Sequence, residues 1–347
     1  MKSPFVLLLL ALVALCLVEL QIMNLQSAIV SLKRTESRSR STSMSNFVNT
    51  KAMTTGSQVL TREATESLVM YNRVPKTGST TFMGLVYSLC AKNEFNAIHL
   101  NTTKNSQVMS IADQYHFSHN ITAWTEKLPG FYHGHVSYID FPRFGVPQPI
   151  YLQIVRDPLE RLVSYYYFLR YGDDFRPYLS RSKMGDKTTF DQCVKKKMSD
   201  CAPEKLWLQI PFFCGQEPAC WQPGNKWALD KAKEHLVTQY LAVGLTDQIP
   251  EYLAVLEAVL PRFFKGASAL YAKNLQKKGH LRKTVKKDPV TAETIETFKK
   301  NPIWEMENDF YLYAKSVFED IKTRTIRRSK DSWVFVGKNY HFEKIKP

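Results

Sequence analysis

The stretch Leu68-Val-Met-Tyr-Asn-Arg-Val-Pro-Lys-Thr-Gly-Ser-Thr-Thr-Phe82 constrains this chain most. An apolar, β-prone run from Val69 to Val74 stops at Pro75, a compact loop covers Lys76, Thr77, Gly78, Ser79 and Thr80, and an amphipathic run continues from Phe82 to Ala91. That order predicts strand, loop and helix. Pro75 ends the strand, Gly78 permits close backbone approach or positive φ, and Ser79 or Thr80 caps the helix. Free N–H groups at a helix start, hydroxyls and one lysine suit a phosphate or a sulfate. The Gly-x-x-x-x-Gly-Lys-Ser/Thr spacing of a Walker A loop is absent. An ordinary βα turn with a solvated lysine would read the same over this stretch alone.

Charge narrows the partner. The 347 residues carry 47 Lys and Arg against 32 Asp and Glu, a formal charge of +15, and 44% hydrophobic content is enough for one large domain or two small ones. Such an excess points to a polyanion: nucleic acid, an anionic membrane or a sulfated glycan. The compartment must choose. Lys2 precedes an apolar stretch from Phe5 to Leu20 broken only by Glu19, with Ile22, Met23 and Leu25 beyond. It is short for a spanning helix of about 20 residues, so a secretory signal peptide is the rival. No small-x-small cleavage site follows the run and a basic stem does. We therefore expect a cytosolic tail over 1–4, an uncleaved signal-anchor over 5–25, a Ser/Thr/Arg-rich lumenal stem over 26–67 and a folded lumenal domain over 68–347.

Either N-terminal reading puts the domain in the secretory pathway, where nucleic acid is not an expected partner. The acceptor triplets Asn101-Thr-Thr and Asn120-Ile-Thr agree with a lumenal domain. Of the six cysteines, Cys16 lies in the anchor and Cys90 reads as a buried small hydrophobe. Cys193, Cys201, Cys214 and Cys220 remain. Local closure pairs Cys193 with Cys201 and Cys214 with Cys220, although four cysteines allow three pairings, and a zinc cluster would lack Cys-x-x-Cys spacing.

Beyond the loop, a short strand is expected over Phe95–Leu100 and a helix ending near Asn120. Gly130-Phe-Tyr-His-Gly-His-Val-Ser137 reads as a strand that places His133 and His135 on one face, with Gly134 leaving room between them. Two such imidazoles suit a metal pair, a catalytic base with its helper, or surface histidines. Pro149-Ile-Tyr-Leu-Gln-Ile-Val-Arg156 is a nearly continuous apolar run, as in a central parallel strand. Asp157 and Pro158 then fit the N-cap and first position of a helix carrying Arg161 and Ser164. Arg156 at the strand end and Ser164 two turns into the helix suit a second anion subsite, or a salt-bridged arginine beside an exposed serine. Recurring strand-loop-helix units predict an α/β fold with a mainly parallel central sheet flanked by helices, and ligands bind such sheets at the strands' carboxyl ends.

Arg73-Val-Pro-Lys-Thr-Gly-Ser-Thr80, His133-Gly-His-Val-Ser-Tyr138 and Ile154-Val-Arg-Asp-Pro-Leu-Glu-Arg-Leu-Val-Ser-Tyr-Tyr-Tyr167 together resemble the Golgi carbohydrate sulfotransferases, most closely the heparan sulfate 2-O-sulfotransferases. The likeness runs from about Met70 to the C-terminus, through Ala202 to Gly215 and His280 to Thr284. It implies a P-loop-like sulfotransferase fold with a C-terminal β extension. It also implies 3′-phosphoadenosine 5′-phosphosulfate (PAPS) as donor and adenosine 3′,5′-bisphosphate as product. Lys76 to Thr80 would hold the 5′-phosphosulfate, Arg156 and Ser164 the 3′-phosphate, and Leu281, Arg282 and Thr284 would close over the nucleotide. The acceptor would be the 2-hydroxyl of iduronic, less often glucuronic, acid in heparan sulfate.

Sulfuryl transfer depends mainly on in-line positioning and charge stabilisation, and an alcohol needs a base near neutral pH. His135 is assigned as that base and His133 as its partner, an order that is open to reversal. Lys76 would neutralise charge on the oxygen bridging sulfur and phosphate, with no metal expected. Resemblance lines the glycan cleft with Arg73, His99, Lys104, Asn105, Arg176, Arg181 and Lys344. One departure stands out: the family carries a denser arginine run near position 181, where this chain reads Leu-Ser-Arg-Ser-Lys, and Ser182 would weaken or shift glycan recognition. The tail reads as two strands, Trp333–Val336 and Tyr340–Ile345, and the family implies a homotrimer anchored in the Golgi membrane. The rivals are a uronyl 2-O-sulfotransferase acting on chondroitin or dermatan sulfate, and a non-catalytic heparin-binding membrane protein.

Overall fold

The computed structural model describes residues 67–174, 176–278, 284–329 and 332–336. The expected tail and anchor, the expected stem up to residue 66, and Leu281, Arg282 and Lys344 lie outside the described residues.

Strand β1 (Leu68–Asn72) is buried at every position, which is what a strand covered on both faces requires of its sequence. Helix α1 (Ser79–Cys90) follows, then β2 (Asn96–His99), α2 (Ile111–Ala123), β3 (Gly130–Gly134), β4 (Ile150–Val155) and α3 (Pro158–Tyr171). The second half adds α4 (Phe190–Lys195), α5 (Gln209–Cys214), α6 (Lys226–Thr238) and β5 (Tyr240–Leu245). It continues through α7 (Ile249–Val259), α8 (Pro261–Phe264), α9 (Ala267–Lys278), α10 (Ala292–Lys299) and α11 (Pro302–Thr325), and ends in β6 (Ile326–Ser329) and β7 (Ser332–Phe335).

Five strands form one parallel sheet in the order β2-β3-β1-β4-β5. From β1 the chain goes to the sheet edge for β2, returns as β3 between β2 and β1, then crosses to the other side of β1 for β4 and β5. The topological switch point is therefore the carboxyl end of β1, where the Lys76 loop begins. Phe82 on α1 is fully buried against Tyr71 (ring centroids 4.9 Å), Tyr252 (5.8 Å) and Phe264 (5.7 Å), which fixes the helix on the sheet. Burying one such ring stabilises by roughly 2–3 kcal/mol. Phe213 and Phe310 meet at 4.9 Å and join α5 to the long α11.

Several expectations hold with boundaries shifted by a few residues. Asp157 accepts a bond from the Glu160 N–H at 2.8 Å and Pro158 opens α3. The disulfides are Cys193–Cys201 and Cys214–Cys220, as local closure predicts.

Others are corrected. Gly78, in the left-handed region at φ 85°, occupies the N-cap of α1, and neither Ser79 nor Thr80 caps it; no side chain does. Strand β3 stops at Gly134, so His135 lies past the sheet and does not share a strand face with His133. Gly134 makes room for the neighbouring strand's exit: a Cβ there would sit 2.8 Å from Leu100 Cβ and 2.9 Å from Leu100 O. Cys90 is half-buried, its Sγ 3.1 Å from the Tyr87 carbonyl oxygen. The segment after Ser332 pairs antiparallel with β6 upstream, Arg328 opposite Trp333, whereas the expected partner at 340–345 lies outside the described residues.

Candidate active site

Arg73, the first residue past β1, organises the switch point. Its N–H donates to the Gly134 carbonyl at 2.8 Å, and its own carbonyl accepts from His135 Nδ1 at 2.8 Å. A carbonyl only accepts, so Nδ1 carries a proton, and in the neutral tautomer that this bond selects the lone pair sits on Nε2. The Arg73 guanidinium reaches His99 Nε2 at 3.4 Å. Burial, Arg73 and then Arg176 hold His99 below its ordinary range.

His133 is set apart from His135. It is 1% exposed, stacks on His99 at 4.9 Å and shares a 2.6 Å bond between its Nε2 and the Tyr87 hydroxyl. Burial first, then the charges of Arg73, His99 and His135, push it down to about 3, so the ring is neutral near pH 7. Burial pushes the Tyr87 phenol up, so it too is neutral. Among the described residues no group of three or more His, Cys, Asp or Glu is arranged to hold a metal ion, so the metal-pair alternative finds no third ligand there.

The loop is shaped by contacts distant in sequence. Lys76 adopts φ 69°, rare for a side-chain-bearing residue. The Thr77 hydroxyl donates to the Val74 carbonyl at 3.0 Å, and the Thr246 hydroxyl lies within bonding reach of both Thr77 O (2.9 Å) and Val155 O (3.0 Å). Thr246 thereby ties the loop to the end of β4. The first turn of α1 faces the loop with no side chain capping it, an arrangement that suits an anion.

Arg156 stands beside this loop. Its Nη1 donates to the Lys76 carbonyl at 3.4 Å and its Nη2 pairs with Glu160 at 2.9 Å. The two sequence-derived anion subsites are thus adjacent. Gln209 clamps the Arg156 backbone, accepting from its N–H and donating to its carbonyl, each at 2.9 Å. Fully buried Glu307 accepts from the Leu208 and Ile210 N–H groups at 2.8 and 3.1 Å and from Gln209 Nε2 at 3.4 Å. Ser164 is buried on α3, and Thr284 bridges to Asp173.

Of the residues expected along a glycan cleft, Arg73 and His99 are in contact and Arg176 is near enough to depress His99. Arg181 packs its guanidinium over Phe168 at 4.3 Å and pairs with Asp173 at 3.6 Å. Lys104 and Asn105 are exposed on a turn after β2, both at φ 55°. Asn101 and Asn120 are exposed, as acceptor sites require. Sequence reasoning missed Tyr87, Gln209, Thr246 and Phe168. A glutamine inside the apolar run Leu206 to Phe213 was a usable signal for a buried polar clamp. Nothing local marked Tyr87, whose partner lies 46 residues away.

Sequence comparison accords with this geometry. The sequence model of the sulfotransferase family matches residues 61–314. The chain belongs to that family and is an enzyme of its class. Within it the chain is similar to heparan sulfate 2-O-sulfotransferase 1 of Homo sapiens, 53% identical over 286 residues, which is 82% of this chain and 80% of that protein. The Gallus gallus protein of the same name is 52% identical over 291 residues, 84% of this chain and 81% of its own length. Heparin sulfate O-sulfotransferase of Drosophila melanogaster is 47% identical over 281 residues, 81% and 79% of the two chains.

Proposed function

We propose that the chain uses PAPS to sulfate the 2-hydroxyl of iduronic, less often glucuronic, acid in heparan sulfate, releasing adenosine 3′,5′-bisphosphate. The family and the names of the relatives support this reading. The observation that carries it is the His135–Arg73 bond, which makes Nδ1 the ring's donor and holds the imidazole at the strand end from which the Lys76 loop departs.

The residues present fit the donor: a helix start without a side-chain cap, a left-handed glycine and a lysine lie beside an arginine at the next strand end. When bound, PAPS supplies the sulfuryl group and the phosphate from which it departs. Lys76, Thr77, Gly78, Ser79 and Thr80 would hold its 5′ end, Arg156 and Ser164 its 3′-phosphate, with Leu281, Arg282 and Thr284 closing over it. His135 Nε2 takes the proton of the acceptor hydroxyl. His133, neutral and bonded to Tyr87, orients its surroundings and does not carry the proton. The Lys76 ammonium offsets charge on the leaving phosphate. Arg73, His99, Lys104, Asn105, Arg176, Arg181 and Lys344 line the glycan cleft, where arginine forks suit carboxylate and sulfate.

The same reading makes the protein a homotrimer in the Golgi membrane. Residues 1–4 would be cytosolic, 5–25 an anchor, 26–67 a stem and 68–347 the lumenal catalytic domain, with glycans on Asn101 and Asn120. The test is labelled PAPS with desulfated heparan, chondroitin and dermatan, followed by disaccharide analysis. Label on the uronic acid of heparan is expected. Label confined to chondroitin or dermatan would transfer the activity to the uronyl 2-O-sulfotransferase reading, and no transfer to any of the three would refute the function.

A further inference from the structure

Phe168 lies one turn past Ser164 on α3 and carries two cations on its ring. The Lys76 ammonium is 4.2 Å from the ring centroid and the Arg181 guanidinium carbon is 4.3 Å from it. A few residues on, buried Asp173 makes a second junction. It pairs with Arg181 at 3.6 Å, accepts from the Arg176 N–H at 3.0 Å and forms an antiparallel bridge with Thr284. Lys76 and Thr284 belong to the nucleotide side of the site, Arg176 and Arg181 to the glycan side. The end of α3 and the turn after it stand between the two.

We propose that Phe168 is a positioning residue that couples donor and glycan binding by sharing its ring between Lys76 and Arg181, an inference that rests on the function proposed above. Two cations over one ring repel each other and divide the same π density. Nucleotide phosphates neutralise Lys76, so Lys76 no longer competes with Arg181 for the ring. Arg181, held also by Asp173, becomes ordered for an anionic sugar. The converse follows by linkage: glycan anions neutralise Arg181, and nucleotide affinity rises by the same factor. The ring itself is required, since an aliphatic side chain of similar bulk has no quadrupole to share.

Calorimetry on the full-length chain tests this with adenosine 3′,5′-bisphosphate and a heparan octasaccharide lacking 2-O-sulfate, each titrated alone and in the presence of the other. In the unmodified chain each ligand is expected to tighten the other on the order of fivefold. Phe168→Leu should bring that factor close to one, and Phe168→Tyr should retain it. Phe168→Met, with the same expectation as Phe168→Leu, guards against a folding defect, which thermal unfolding would reveal. Coupling that persists in Phe168→Leu or Phe168→Met, or that is absent from the unmodified chain while both ligands bind, overturns the inference alone. An unmodified chain that binds no nucleotide sinks the sulfotransfer reading and this coupling with it.

Discussion

His135 donates its Nδ1 proton to the Arg73 carbonyl at 2.8 Å, across 62 residues of chain. The bond links the exits of β1 and β3, and it makes Nδ1 the donor of the ring. His135→Ala should therefore lower kcat by about 10²–10⁴-fold, the usual worth of general base catalysis. Nucleotide affinity, measured by calorimetry, should stay nearly unchanged. Normal turnover in this variant would remove His135 from the mechanism.

Lys76→Ala should damage binding and turnover together. Loss of one charge-assisted contact weakens nucleotide binding by about 10- to 100-fold, and kcat falls as well if the ammonium also serves the leaving phosphate. Steady-state kinetics with varied donor separates the two effects. A normal donor KM with normal kcat would contradict the loop assignment.

The pH dependence of stability follows from His133. Its folded-state value, about 3, lies below the ordinary 6.5, so acid protonates the unfolded chain first. Its contribution is fully present above about pH 6.5 and is lost as pH falls toward 3, by about 1.4 kcal/mol per pH unit. His99 and His235, also shifted down chiefly by burial, add in the same direction. Urea unfolding at about pH 7.5 and about pH 5 should show a lower midpoint in acid, and His133→Asn should narrow the gap. An equal gap in the variant would assign the acid sensitivity elsewhere.

What was legible in the sequence was local. The run from Val69 to Val74 followed by Pro75, and the Asp157-Pro158 pair opening α3, carry their geometry in adjacent residues. The cap of α1 was misjudged because Ser79 and Thr80 favour N-caps by type, whereas the left-handed turn at Gly78 closes the helix start one residue earlier. The reach of β3 was overestimated because its alternating pattern continues past Gly134, where the chain leaves the sheet beside Leu100. The site residues that escaped notice act across distance: Gln209 on Arg156 at 53 residues and Thr246 on Thr77 at 169. Periodicity says nothing about such pairs, and only the fold brings them together.

Gly134→Ala tests the strand exit. The added Cβ would press on backbone and Cβ atoms of Leu100, which cannot rotate away. Destabilisation of about 1–3 kcal/mol is expected, read as a lower Tm, with transferase activity falling because His133 and His135 flank the displaced residue. An unchanged Tm would mean that β2 and β3 separate there at no cost.

The most direct measurement is a crystal structure of the chain with adenosine 3′,5′-bisphosphate. The account predicts the 5′-phosphate against the N–H groups and hydroxyls of Lys76 to Thr80, the 3′-phosphate on Arg156 and Ser164, and His135 Nε2 turned toward the 5′ end. A nucleotide bound away from the carboxyl ends of β1 and β4, or an imidazole turned from it, would contradict the account.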